Sequence, residues 1–120
     1  MIYVGNDIVE VKRIKNAVKA RGDKFLNHIY TQSEQEYCLS CARPEIHFAG
    51  RFSAKEAIKK ALLSSRLIDT ISLNCIEIIR LDDGAPTVEL LNIEVQQKYQ
   101  MTVSISHTDE YATAVALLEM

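Results

Sequence analysis

Apolar positions run with a strand-like period at both ends of this chain and a helix-like period through its middle. Met1 to Val11 alternates imperfectly but is rich in Ile, Val and Tyr, and a strand is expected in its first half. From Val9 to Ala20 the apolar residues Val11, Ile14, Ala17 and Val18 fall at helical spacing. Gly22-Asp23 should end that helix. Thr31 or Ser33 ahead of Glu34 and Glu36 has the form of an N-cap with acids in the first turn, so a short helix is expected through Tyr37 and Leu39. Pro44-Glu45 then opens a longer helix, about Ile46 to Leu63. After Ser64-Ser65 the period shortens. Two strand-like runs, Ile76–Arg80 and Thr87–Leu91, flank Asp82-Asp83-Gly84-Ala85-Pro86, whose Asp-Gly step signals a hairpin. A brief helix is expected from Ile93 to Tyr99. Met101–His107 alternates almost without fault, Tyr111–Leu118 is a second β-rich run, and Thr108-Asp109-Glu110 joins them as another hairpin. Strand, helices, then strands predict an α+β domain with helices packed on a largely antiparallel sheet.

Composition narrows the partners. At 120 residues, one domain covering residues 1–120 is expected. A net charge of −2 gives no bulk basic field for nucleic acid, so any anionic partner must meet a local patch. No run approaches the roughly 18 apolar residues of a membrane span. The N-terminal segment lacks the pattern of a signal peptide and is expected to stay in the mature protein. Cys38, Cys41 and Cys75 are an odd count that does not suggest a secreted disulfide framework, so a reducing cytoplasm is expected.

The candidate chemistry lies in the long helix, in Arg51-Phe52-Ser53-Ala54-Lys55-Glu56-Ala57. At roughly 100° per residue, Ala54, Ala57, Ile58, Ala61 and Leu62 gather on one face and Lys55, Glu56, Lys59 and Lys60 on the other. That second face is readable as a solvated surface with an ordinary Glu56–Lys60 pair, or as a phosphate cradle beside one acid. Asp7 has two readings as well, a cap for the helix that follows or a ligand for a hard cation. The second requires Asp7 and Glu56 to meet in space. Cys38-Leu39-Ser40-Cys41 with His47 nearby is half a zinc site without its partner pair, and buried helix cysteines account for it better. His107 ends a strand and reads equally as an edge residue. No glycine-rich phosphate loop and no nucleophile elbow are present.

Four segments together resemble the holo-acyl-carrier-protein synthase family of phosphopantetheinyl transferases. They are Gly5-Asn6-Asp7-Ile8-Val9-Glu10, Phe48-Ala49-Gly50-Arg51-Phe52-Ser53-Ala54-Lys55-Glu56-Ala57, Asp83-Gly84-Ala85-Pro86 and Ser104-Ile105-Ser106-His107. The resemblance implies transfer of the 4′-phosphopantetheine arm of coenzyme A to a serine of an apo-acyl carrier protein, with release of adenosine 3′,5′-bisphosphate. It implies a magnesium ion on Asp7 and Glu56, coenzyme A phosphates near Arg51, Lys55, Lys60 and His107, and its adenosine end near Gly84 and Pro86. It leaves the general base open. It implies an acidic carrier helix meeting a basic surface, for which Arg13, Arg21 and Lys24 are candidates beside Lys19, Lys12 and Lys15. It further implies a homotrimer with sites at the subunit contacts, and a place in lipid metabolism such as fatty acid biosynthesis, without naming the carrier. One departure stands out. Where the family carries a Gly-Thr-Gly type turn this chain has Leu63-Ser64-Ser65-Arg66, which motivates a second reading as a non-catalytic relative that binds coenzyme A or a carrier.

Overall fold

A computed structural model describes residues 1–120. Strand β1 (Ile2–Glu10) is followed by four helices, α1 (Val11–Arg21), α2 (Asp23–Ile29), α3 (Gln32–Ser40) and α4 (Pro44–Ser65). A 3-10 turn (Leu73–Cys75) leads into β2 (Ile76–Arg80) and β3 (Pro86–Leu90), and then come β4 (Gln100–His107) and β5 (Tyr111–Glu119). Strands β1, β5 and β4 form one antiparallel sheet in that order, and β2 pairs antiparallel with β3 in a second. The α+β class expected from the order of periods is what the molecule has.

Helix α4 is the centre of the fold, and small side chains let it approach the sheet. On β5, Ala112, Ala114, Ala116 and Leu118 are buried while the residues between them are exposed. Helix α4 meets that face with Ala54, Ala57, Ile58, Ala61 and Leu62, all fully buried. Burying Ile58 and Leu62 contributes about 1.5–3 kcal/mol each. The crossing with β1 is tighter still. A Cβ on Gly5 would lie 1.9 Å from the Ala57 carbonyl oxygen and 2.8 Å from the Ala61 amide nitrogen. Both are helix backbone and cannot swing aside, so only glycine permits this contact. Asp7 follows two residues later on the same side of β1 and is thereby carried to the edge of α4.

A buried ion pair ties α3, α4 and β2 together. Thr31 caps α3 in a capping box with Glu34. The Glu34 carboxylate also accepts from Lys55 Nζ at 2.6 Å and from the Ile78 amide at 2.8 Å. The Lys55 ammonium donates in addition to the carbonyls of Leu73 and Ile76. Burial pushes the Lys55 pKa down from the usual lysine value, and the Glu34 charge opposes that shift.

The structure departs from the periodic reading in four places. Strand β1 runs on to Glu10 through its pairing with β5, so Val9 and Glu10 are strand and the first helix starts at Val11. Asp23–Ile29 forms a helix that was not expected; Phe25, Leu26 and Ile29 have the spacing to bury one helical face, and all three are buried. Residues 93–99 are irregular rather than helical. Asn92 before them takes a left-handed φ of 57°, and Ile93 and Tyr99 pack singly against the core without a helical stripe. Helix α4 runs two residues past Leu63, and its C-cap, Arg66, adopts φ 61°. That conformation strains a residue with a Cβ, whereas glycine adopts it freely. Arg66→Gly is therefore expected to raise stability by about 0.5–1 kcal/mol, read as a higher urea midpoint at unchanged slope.

Candidate active site

Two clusters flank α4, and helical geometry keeps them apart. Arg51 and Glu56 are five residues apart, which turns their side chains roughly 140° from one another around the axis. Arg51 and Glu56, close in the sequence, therefore serve different flanks of the helix.

The first flank holds the carboxylates. The backbone carbonyl of Asp7 accepts from Ser53 Oγ at 3.0 Å and from Thr113 Oγ1 at 2.9 Å, which pins this part of β1 between α4 and β5. Its carboxylate oxygen lies 3.2 Å from Lys60 Nζ, which also donates to the Asn6 carbonyl at 2.9 Å. Glu56 stands on α4 between Ser53 and Lys60, one turn from each, so both helix residues that touch Asp7 are its neighbours on the same flank. Lys60 thus turns to β1 and not to Glu56, against the simple i,i+4 reading. Asp7 does not cap α1 either. The N-cap position belongs to Glu10, whose side chain makes no capping bond.

The donor set here is two carboxylates, with no group of three His, Cys, Asp or Glu arranged to enclose a metal. Such a set suits a hard cation that completes its shell with water and substrate oxygens, as magnesium does, and does not suit a closed all-protein cage.

The second flank is a cavity of about 210 Å³ between α3, α4, β4 and the β2–β3 hairpin. It gathers four residues expected at the site: Arg51, Gly84, Pro86 and His107. Arg51 is only 8% exposed, its guanidinium lies 4.3 Å from the centroid of the Tyr37 ring, and its Nε has no hydrogen-bond partner. A buried guanidinium with an unmet donor and no carboxylate in the lining makes an anion-binding wall. Three further lining residues, Tyr37, His47 and Arg80, were not expected there. His47 precedes Arg51 by one helical turn, which was a usable signal. Its ring lies 6.2 Å from that of His107. Burial first, and then the Arg51 and His107 charges, push its pKa below the usual histidine value, so it is neutral at pH 7. Arg80 and Tyr37 reach the cavity only through tertiary packing and left no local signal.

Lys55 is a correction. It was expected to reach coenzyme A phosphate, but its ammonium is wholly buried and held by Glu34 and the Leu73 and Ile76 carbonyls. Its place is the core behind the cavity wall. Among the cysteines, Cys38 is fully buried, and burial pushes its thiol pKa up to about 12, so it is not a thiolate at neutral pH. The basic candidates Arg13, Arg21 and Lys24 are exposed on α1 and α2, with Arg21 stacked 5.0 Å from the centroid of the Phe25 ring. No helix is long and apolar enough to cross a membrane.

Fold and site together define a small α+β domain with Asp7 and Glu56 on one side of its central helix and a guanidinium-lined cavity on the other. Residues 3–116 match the model of the 4′-phosphopantetheinyl transferase superfamily, and the chain belongs to that family. A holo-(acyl-carrier-protein) synthase of Protochlamydia amoebophila is 41% identical over 116 residues, covering 95% of this chain and 94% of the relative. Among solved structures, a holo-(acyl-carrier-protein) synthase of Bacillus anthracis in complex with coenzyme A (3′,5′-ADP) superposes with a TM-score of 0.78 at 31% identity, over 97% of this chain and 94% of that one. A Chronobacterium ammoniagenes complex with coenzyme A gives a TM-score of 0.84 at 26% identity, over 98% and 96%.

Proposed function

We infer that this chain is a holo-acyl-carrier-protein synthase, transferring 4′-phosphopantetheine from coenzyme A to a serine of an apo-acyl carrier protein. The observation that carries the reading is an anion-binding cavity on one flank of α4, with Asp7 of β1 and Glu56 of α4 on the other, in a chain of this family. In the reaction the serine oxygen forms a bond to the phosphorus bearing the pantetheine arm. The bond from that phosphorus to the bridging oxygen of adenosine 3′,5′-bisphosphate breaks, and the serine proton is released. Arg51 and His107, with Arg80 and His47, bind and orient the phosphates of coenzyme A. Gly84 and Pro86 border its adenosine end. Asp7 and Glu56 would hold magnesium, which when bound supplies charge neutralisation at the pyrophosphate and its leaving group. Lys60, beside Asp7, adds a cation on the same flank.

The two flanks favour a shared site. Within one chain the cavity and the carboxylates face different ways around α4, so a substrate lying in the cavity of one copy meets carboxylates most directly on another. The outward face of the sheet, with Val4, Ile8, Val115 and Leu117 exposed, supports such self-association, and a ring of three is the proposed form. Arg13, Arg21 and Lys24 are the proposed contacts for an acidic carrier helix, and the cytoplasm is the proposed location.

Incubation with coenzyme A, magnesium and an apo-carrier protein is expected to add the mass of one phosphopantetheine group to the carrier. Saturable coenzyme A binding by folded protein without any mass gain on several carriers would sink the transferase reading in favour of a non-catalytic relative. The glycine-free turn after Leu62 is what motivates that alternative. Ser65 Oγ donates to the Leu62 carbonyl at 2.8 Å and accepts from the Leu67 amide at 3.1 Å, which closes the helix end.

A further inference from the structure

Tyr37 sits where the two guanidiniums of the cavity and the His47 ring converge. The Arg51 guanidinium lies 4.3 Å and the Arg80 guanidinium 5.9 Å from the centroid of its ring, and the His47 ring meets it edge-on at 5.8 Å. Arg51 comes from α4 and Arg80 from β2, two elements with no other reason to aim cations at one point. Two guanidiniums brought together in a partly buried cavity repel each other, and a shared aromatic ring offsets part of that repulsion. Arg80 is constrained from the hairpin side as well. A Cβ on Gly84, at φ 89°, would lie 3.3 Å from an Arg80 terminal nitrogen, so the glycine leaves the room that lets this side chain fold back. Arg51 on the other side is buried, with its Nε unmet.

We propose that Tyr37 is a positioning residue whose ring holds Arg51 and Arg80 as a single clamp for the phosphate groups of coenzyme A. The clamp sets affinity and takes no part in bond making. This rests on the cavity being the coenzyme A site, so the test measures that separately. Binding of adenosine 3′,5′-bisphosphate and of coenzyme A is followed by titration calorimetry, and transfer by steady-state kinetics, for the wild-type chain and for Tyr37→Phe and Tyr37→Leu. Tyr37→Leu is expected to weaken binding of both ligands and to raise KM for coenzyme A by about tenfold, with kcat changed less than twofold. Tyr37→Phe keeps the ring and is expected to restore the wild-type affinity. The effects of Tyr37→Leu and Arg80→Leu should not add when combined, because both remove one arrangement. Should Tyr37→Leu not fold, Tyr37→Met, of similar length and without a ring face, carries the same comparison. A folded Tyr37→Leu or Tyr37→Met chain with affinity within twofold of wild type overturns the proposal, as does a fall in kcat at constant KM. A wild-type chain that binds neither ligand overturns the assignment of the cavity itself.

Discussion

Replacing Asp7 or Glu56 by alanine is expected to lower phosphopantetheine transfer about a thousandfold or more while the protein stays folded. Several kcal/mol of transition-state stabilisation by a bound cation corresponds to about three powers of ten in rate. The fold should survive for identifiable reasons. Asp7 is held in β1 by its backbone carbonyl, through Ser53 and Thr113, and truncating the side chain leaves those bonds in place. The side chain itself pairs only with Lys60, whose own side chain is 53% exposed, and such a pair is worth about 0–1 kcal/mol. Glu56 makes no ion pair. Thermal melts should therefore move by a few degrees at most, whereas the mass-spectrometric transfer assay should fall to background. Asp7→Asn, which keeps an oxygen but loses the charge, should show a raised magnesium requirement. Near-normal transfer by either alanine variant would remove both residues from the proposed metal site.

Lys55→Met should behave in the opposite way. The substitution leaves the Glu34 carboxylate buried without its cation, and breaking a buried pair in this manner costs about 3–5 kcal/mol. Against a typical domain stability of about 5–15 kcal/mol, that is a large fraction of the total. The urea midpoint should drop sharply, and the chain that remains folded should keep its affinity for coenzyme A. Adding Glu34→Gln to Lys55→Met should recover part of the loss, because the stranded charge is gone and one acceptor oxygen remains for either the Thr31 or the Ile78 amide. A Lys55→Met chain of normal stability with lost cofactor affinity would return Lys55 to the phosphate site and refute the structural role.

Lys55 shows why parts of the site could not be read from sequence. A helical wheel assigns charged residues to solvent unless something contradicts it, and the contradiction here is Glu34 on a different helix. No local rule connects them. The Thr31–Glu34 capping signal was visible, but not that the same carboxylate would receive Lys55 and a β2 amide. The hairpins were legible because alternation and turn chemistry are local, and so was α4 with its proline start. Asp7 and Glu56 were legible as residue types in suggestive segments. That β1 carries Asp7 to the edge of α4 depends on the Gly5–Ala57 crossing, which is a matter of backbone clearance in three dimensions. Tyr37 and Arg80 belong to no motif and enter the cavity from α3 and β2 only once the hairpin has folded over α4.

The separation of the two flanks of α4 bears on how damage would be distributed among copies of the chain. In the proposed ring each molecule lends its carboxylates to one neighbour and its guanidinium cleft to the other. A chain spoiled on one flank is still a sound partner on the opposite one. Inactivity then belongs to a junction and not to a molecule, and a mixed population of two differently crippled chains contains some junctions with nothing missing.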